Sequence, residues 1–386
     1  MKKRAITAIV IAVCILVQVD ISTPDSALLY RELSADEVNA RTDSLVLTFY
    51  EHNTVRVDSL LSQYIVDRHP GAAVAVIQDG RIVHKNGYGL ANLTTKEPIR
   101  PETCFLLASV SKQFTAMAIM ILAEENLISL DDTIDTYFPE IPRGWRNITI
   151  THLLTHTSGL PDRFWLIGYG EGFLNQDILD RLIEHRLLDH LPGRRFKYSN
   201  SGYNLLAMIV EQVSGVPFRV FMEERVFKPL GMNHTVVYDE TEPFIENRAV
   251  AYRPLRRGFY RRNDFLLYTT GASGVFSSVE DLFKWDQALY SDTLVSRETL
   301  EMAFSPQVRS GRQESYGFGW RMTNADGIKS LYHTGTLGGV SNIIFRVPSK
   351  GFSVIILSNN SIKSRKLLVR RITEMYHPGL IEETGF

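Results

Sequence analysis

A serine and a lysine three positions apart, Ser109 and Lys112, open an apolar run from Ala116 to Leu122. At helical spacing residues i and i+3 share a face, which sets the Ser109 hydroxyl beside the Lys112 amine. A serine hydroxyl is a weak nucleophile at neutral pH and needs a neighbouring base. A lysine held in an apolar helix sheds its proton far below its usual pKa and can be that base. The start of a helix adds free backbone N–H groups where negative charge can develop. Most Ser-x-x-Lys matches are a surface serine and a solvated lysine, but this one occurs once in the chain and has company. Tyr198-Ser199-Asn200 precedes a second apolar helical pattern, and His333-Thr334-Gly335-Thr336 ends a strand-like run. A Tyr-x-Asn is ordinarily a turn and a Thr-Gly a bend, so the weight lies in the set. Acyl transfer needs a nucleophile, a base, a proton donor for the leaving group and N–H donors for the oxyanion. Ser109, Lys112, Tyr198 and the backbone at Ser109 and Thr336 fill those roles.

The elements that must position these residues follow from periodicity. Val57, Leu60, Leu61, Tyr64 and Ile65 recur at helical spacing, ending near His69-Pro70-Gly71. Ala72 to Gln78 and Arg81 to Tyr88 are β-rich runs joined at Asp79-Gly80, a strong hairpin signal. Helical patterns follow within 148–155, 176–188, 201–213 and 279–289, with strand patterns within 329–334, 340–347 and 352–357. A basic amphipathic helix over 363–376 comes last. Strands at both ends with helices between them predict an α+β fold, an α/β sandwich whose antiparallel sheet carries helices on both faces. Residues 55–129 and 265–378 would build the sandwich and 130–264 an inserted, mostly helical lobe. Residues 23–54 are left as a polar extension of unassigned structure, and 379–386 as a tail.

At 386 residues, with 44% hydrophobic and 22% charged residues, the composition is that of an ordinary globular protein. A net charge of −1 gives no global reason to expect a nucleic-acid or anionic-membrane partner. Met1-Lys2-Lys3-Arg4 followed by the apolar run Ala5 to Val19 reads as a signal peptide over 1–22, with an uncleaved anchor as the alternative. The expected location is therefore exported, periplasmic or extracellular. Cys14 is poorly placed for lipidation behind Val13, and removal of the leader leaves only Cys104. Neither an internal disulfide nor a cysteine zinc site is expected.

The ordered set Ser109-Val110-Ser111-Lys112, Tyr198-Ser199-Asn200 and His333-Thr334-Gly335 resembles the serine β-lactamase-related family. That family takes in class C β-lactamases, penicillin-binding DD-peptidases, D-aminopeptidases and family VIII esterases. The stretches Leu153 to Leu160, Gly271 to Trp285 and Tyr316 to Trp320 look like the same family, and the likeness runs from about Val57 to about Tyr376. The resemblance implies the β-lactamase/transpeptidase-like fold and no metal or organic cofactor. It implies Ser109 as acylated nucleophile, Lys112 as its base partner and Tyr198 as proton relay to the leaving group. Asn200 would hydrogen-bond Lys112 or the substrate amide, and Thr336 N–H with Ser109 N–H would form the oxyanion hole. His333, Thr334 and Gly335 would line the substrate. His333 stands where many relatives carry lysine, and a histidine near pKa 6.5 loses most of its charge by neutral pH. This shifts the expected function from β-lactam hydrolysis toward cleavage of a D-peptide or ester, with turnover tracking the titration of His333 between about pH 5 and 8. The expected partner is a small or peptide-like substrate: a peptidoglycan stem, β-lactam or ester. A class C-type β-lactamase is the alternative within the same chemistry, and a penicillin-binding sensor or scaffold without turnover the alternative outside it.

Three further features look like chemistry and have plainer readings. Glu171 to Asn175 matches the Glu-x-x-Leu-Asn of class A β-lactamases, but it precedes Tyr198 rather than following it. His152 and His156 have zinc-helix spacing without a following Glu or an obvious third ligand, which favours a helix packed beneath the site. Arg253, Arg256, Arg257, Arg261 and Arg262 around Pro254 and Gly258 read as a solvated hairpin, and the basic residues of the last helix as its wet face.

Overall fold

In the computed structural model the predicted hairpin joins β1 (Ala72–Gln78) to β2 (Arg81–Tyr88). Both turn residues take positive φ, 47° at Asp79 and 75° at Gly80, the backbone of the two-residue turn that Asp-Gly favours. Residues 35–66, 68–162, 173–241, 244–264, 266–362 and 364–386 are described. The leader (1–22), Glu171 of the class A-like stretch and Lys363 of the basic helix lie outside them. The chain divides into two compact units, Met1–His52 and Asn53–Phe386, and all the candidate site residues belong to the second.

Six more strands complete the main sheet: β3 (Val308–Arg309), β4 (Glu314–Tyr316), β5 (Arg321–Ala325), β6 (Ile328–Leu337), β7 (Val340–Val347) and β8 (Phe352–Ser358). Their order is β3-β4-β5-β6-β7-β8-β1-β2, antiparallel throughout, so the N-terminal hairpin pairs onto the C-terminal strand. Every residue of β1, β7 and β8 is buried, as strands covered on both faces must be. Side-chain alternation along β7 identifies the two covers. Arg346 reaches Asp286 of helix α6 (Val279–Ala288) at 2.5 Å. Ser341 and Phe345, of opposite parity, meet Arg365 of α7 (Arg365–Tyr376) and the ring of Phe386. Breaking a buried pair such as Arg346–Asp286 strands a charge and typically costs about 3–5 kcal/mol, so this contact ties α6 firmly to the sheet.

Both ends carry more order than the sequence pattern assigned to them. Helix α1 spans Ala35–Ser62, so much of the supposed extension is helical, consistent with a stretch that contains neither Gly nor Pro. The supposed tail is packed: α8 (Leu380–Thr384) is followed by Phe386, whose ring meets Tyr332 edge-on and Phe345 at a tilt. The buried aromatic area outweighs the freedom of a chain end.

Between the two sheet-forming segments lie α2 (Lys112–Glu124), α3 (Ile150–Leu154), α4 (Asn175–His185) and α5 (Asn200–Ser214). Helix α2 is buried from Lys112 through Leu122 and sits inside the main hydrophobic core. Among its described residues the inserted region carries short helices separated by turns up to Phe227. From Val236 it turns to short strands, including the hairpin Tyr252–Pro254 with Tyr260–Arg262 at the arginine cluster. No described helix is by itself long and apolar enough to cross a membrane.

Candidate active site

Ser109 lies in a single 3-10 turn, Ala108–Ser111, that leads directly into α2. Ala108 has a φ of +51°, a region a residue with a Cβ seldom enters, so the turn is held by its surroundings. The Leu107 N–H donates to the Val275 carbonyl at 2.8 Å, and Asn342 Nδ2 donates to the Leu106 carbonyl at 2.8 Å. Gly335 explains how β6 comes so close: a Cβ there would sit 2.0 Å from the Leu107 carbonyl oxygen. The strand backbone is thereby pressed against the serine turn, and Thr336, the next residue, is exposed beside Ser109 in a cleft also lined by Asn200 and Ser273.

Lys112 is wholly buried. Its Nζ lies 2.7 Å from Asn200 Oδ1, 2.8 Å from the Ala272 carbonyl and 3.3 Å from Ser109 Oγ. A neutral amine has two donors and one lone pair. The two short contacts, both to oxygens that can only accept, take the donors and leave the lone pair facing the serine hydroxyl. Burial lowers the Lys112 pKa to about 7, with Asp162 raising it and Arg321 lowering it further. A large share of the amine is therefore unprotonated at neutral pH.

Tyr198 is set by His156, whose carbonyl accepts from Lys197 N–H at 2.8 Å and whose Nδ1 accepts from Ser199 N–H at 3.2 Å. These two bonds grip the chain on either side of the tyrosine, while the His156 ring packs 4.2 Å from its ring. Lys112 Nζ is 4.9 Å from the centre of the Tyr198 ring. Ser109 is near enough to draw the phenol pKa down against the larger upward push of burial. Yet the hydroxyl has no hydrogen bond of ordinary geometry. It is a buried donor without an acceptor, placed where a substrate atom would arrive.

His333 lies with its ring centre 6.3 Å from that of Tyr198. Its Nδ1 is 2.9 Å from the Thr334 carbonyl, which can only accept, so Nδ1 carries the proton. Its Nε2, 3.1 Å from Tyr316 Oη, is left as the acceptor. Burial, then the charges of Arg321 and Lys112, push its pKa well below the usual value. The expectation that His333 titrates around neutrality is therefore corrected: burial holds the ring neutral at pH 7, and the group with a pKa of about 7 is Lys112. His156, buried beneath the site, is likewise held neutral. Its ring nitrogen is engaged with Ser199, and His152 caps α3 through Thr149, so neither imidazole is disposed as a ligand. Among the described residues no cluster fit to hold a metal occurs.

Two charged residues at the site escaped the sequence. Arg321, on β5, places its guanidinium 5.7 Å from the Tyr198 ring centre and 2.5 Å from Glu314. Asp162 accepts from Asn200 N–H at 2.5 Å and from Asn200 Nδ2 at 3.1 Å. Each sits one or two positions beyond a recognisable stretch, Tyr316 to Trp320 and Leu153 to Leu160, which is the only hint the sequence offers. A cavity of about 610 Å³ between α1 and α7 lies away from this chemistry.

The buried neutral imidazoles couple folding to pH. An unfolded chain protonates both His156 and His333 near pH 6.5, whereas the folded chain does not. As the pH falls through about 6.5 and below, the unfolded state binds more protons than the folded one, so both groups take stability away on the acid side. Urea unfolding between pH 7 and 5 should show the fall, and His333→Gln should lessen its slope. An unchanged midpoint over that range would reject neutral burial. Lys112 acts in a higher window: between about 7 and 10.5 the unfolded amine is charged and the folded one neutral, so its contribution rises with pH there.

Comparison with known proteins places this geometry. The Beta-lactamase family model matches residues 57–374. Penicillin-binding protein 4* of Bacillus subtilis (strain 168) is 35% identical over 305 residues, covering 74% of this chain and 67% of that one. The D-aminopeptidase of Gluconobacter oxydans (strain 621H) is 28% identical over 80% of this chain but only 60% of that enzyme's length. The octameric penicillin-binding protein homologue from Pyrococcus abyssi has a similar structure, with a TM-score of 0.76 and 29% identity over 86% of this chain and 79% of that one. The fold expected from the three motifs is thus the fold observed, and the chain belongs to the Beta-lactamase family as one of its serine hydrolases.

Proposed function

We propose that the protein cleaves an amide or ester bond in a D-configured, peptide-like substrate through an acyl-enzyme on Ser109. The observation that carries this is the buried Lys112 amine, 3.3 Å from Ser109 Oγ with its other contacts satisfied by fixed acceptors. Neutral Lys112 takes the Ser109 proton as Oγ bonds to the carbonyl carbon. The carbonyl electron pair moves onto oxygen, where the N–H groups of Ser109 and Thr336 hold it. As the tetrahedral intermediate collapses, Tyr198 hands its proton to the departing nitrogen or oxygen and is reprotonated from Lys112. Water then repeats the sequence on the acyl group. Asn200 keeps Lys112 aligned, while His333 acts as a neutral wall and hydrogen-bond partner of Tyr316.

The substrate reading rests on the charges. With His333 neutral, Arg321 is a permanent cation beside Tyr198 among the described residues, and it suits a substrate carboxylate on the leaving-group side. A peptide ending in a free carboxylate meets that description, and the names of the relatives, penicillin-binding protein and D-aminopeptidase, agree with it. A β-lactam offers an amide and a carboxylate too, so acylation by penicillin is expected and slow release separates this enzyme from a β-lactamase. The basic head and apolar run at 1–19 support action outside the cytoplasm.

Purified protein offered a fluorescent penicillin, a chromogenic cephalosporin, D-Ala-D-Ala and L-Ala-L-Ala peptides and a nitrophenyl ester tests the whole reading. Label retained on the Ser109 peptide, turnover of the D-peptide over the L-peptide and little cephalosporin turnover are expected. Fast cephalosporin hydrolysis would make it a β-lactamase. An unlabelled Ser109 with no turnover of any substrate would make it a scaffold.

A further inference from the structure

Asn200 is an amide with two unlike ends, and Lys112 requires one of them. Its Oδ1 faces Lys112 Nζ at 2.7 Å, so its Nδ2 must point away, and the group it points to is the Asp162 carboxylate. Asp162 Oδ1 also accepts the Asn200 backbone N–H, one of the unpaired donors at the start of α5. Both carboxylate oxygens accept, which is the pattern of the ionised form; burial pushes the Asp162 pKa up, and the Asn200 bonds and the Lys112 charge oppose that push. A flipped Asn200 would set its carbonyl against that carboxylate. The segment is held from the other side as well, since Ser201 Oγ donates to the Pro161 carbonyl at 3.0 Å. Among the described residues the titratable groups facing Lys112 are Tyr198, Tyr203, His156, His333, Arg321 and Asp162. The tyrosines and histidines are neutral at pH 7. Asp162 is therefore the negative charge acting on the amine and Arg321 the positive one.

We propose that Asp162 is a positioning residue for Lys112, locking the Asn200 amide so that its carbonyl meets the amine and supplying the counter-charge for the ammonium formed when Ser109 gives up its proton. The assignment rests on the Ser109 acyl-enzyme reading. When the proton moves from Ser109 Oγ to Lys112 Nζ, the new cation forms beside a carboxylate relayed through one amide. Without that carboxylate the ammonium keeps the repulsion of Arg321 and loses its counter-charge.

The test is Asp162→Asn in the full chain, measured by the rate of acylation with fluorescent penicillin between pH 5 and 9. A carboxamide at 162 offers Asn200 Nδ2 no second acceptor oxygen, so acylation should slow by roughly 10- to 100-fold. The midpoint of the acid limb should also fall by about one pH unit, because the ammonium has lost its counter-charge. Asp162→Glu keeps the charge and should slow the reaction while leaving the midpoint in place; it also serves if Asp162→Asn does not fold. A rate within twofold of the parent, or a slower rate with an unmoved midpoint in Asp162→Asn, overturns the assignment. So does a midpoint in Asp162→Glu that falls by a full unit. A parent enzyme that is never acylated instead overturns the function itself, and this assignment with it.

Discussion

Methionine in place of Lys112 lowers kcat/KM by about 10²- to 10⁴-fold, the range expected when a general base is removed. In the parent, only the neutral amine can accept the Ser109 proton, so kcat/KM rises with pH as Lys112 deprotonates, with a midpoint at about 7. One unit below that midpoint the rate should be about a tenth of its plateau. The methionine variant should lose this limb along with the rate. His333→Gln should keep it, since burial already holds that ring neutral. A parent profile flat from pH 5 to 9, or a midpoint that moves with His333→Gln alone, would falsify the assignment of Lys112 as base. Methionine also deprives Asn200 Oδ1 and the Ala272 carbonyl of their donor, so circular dichroism and a urea titration must show that the variant is folded.

Phenylalanine at Tyr198 separates proton delivery from everything else. The ring packing on His156 survives, and only a hydroxyl without a hydrogen-bond partner is removed. Amide substrates, whose departing nitrogen must be protonated, should lose about 10²- to 10⁴-fold in kcat/KM. A nitrophenyl ester, whose leaving group departs readily as the anion, should lose far less. The measurement is the ratio of amide to ester turnover in Tyr198→Phe against the parent. An equal loss on both substrates would mean that Tyr198 serves Ser109 rather than the leaving group.

Local order was legible along the chain because it is written in short-range terms. The Asp79-Gly80 turn, both strands of its hairpin, β7 and the helix after Ser199 depend on periodicity and turn chemistry within a few residues. The three motifs could be collected because each has an unusual composition. What periodicity could not supply is charge in space. Asp162 and Arg321 lie 159 positions apart and act on one amine, and nothing in the spacing of either announces it.

The sequence by itself determined the type of chemistry: a serine hydroxyl, an amine one helical turn away and a phenol in a separate loop, carried on an antiparallel sheet made from both ends of the chain. Tertiary structure decided the protonation states. His333 looked like the titrating group because an isolated imidazole titrates near neutrality. Burial reverses that reading and gives the lowered Lys112 pKa that its apolar helix led one to expect, since a medium that solvates charge poorly favours whichever form is neutral.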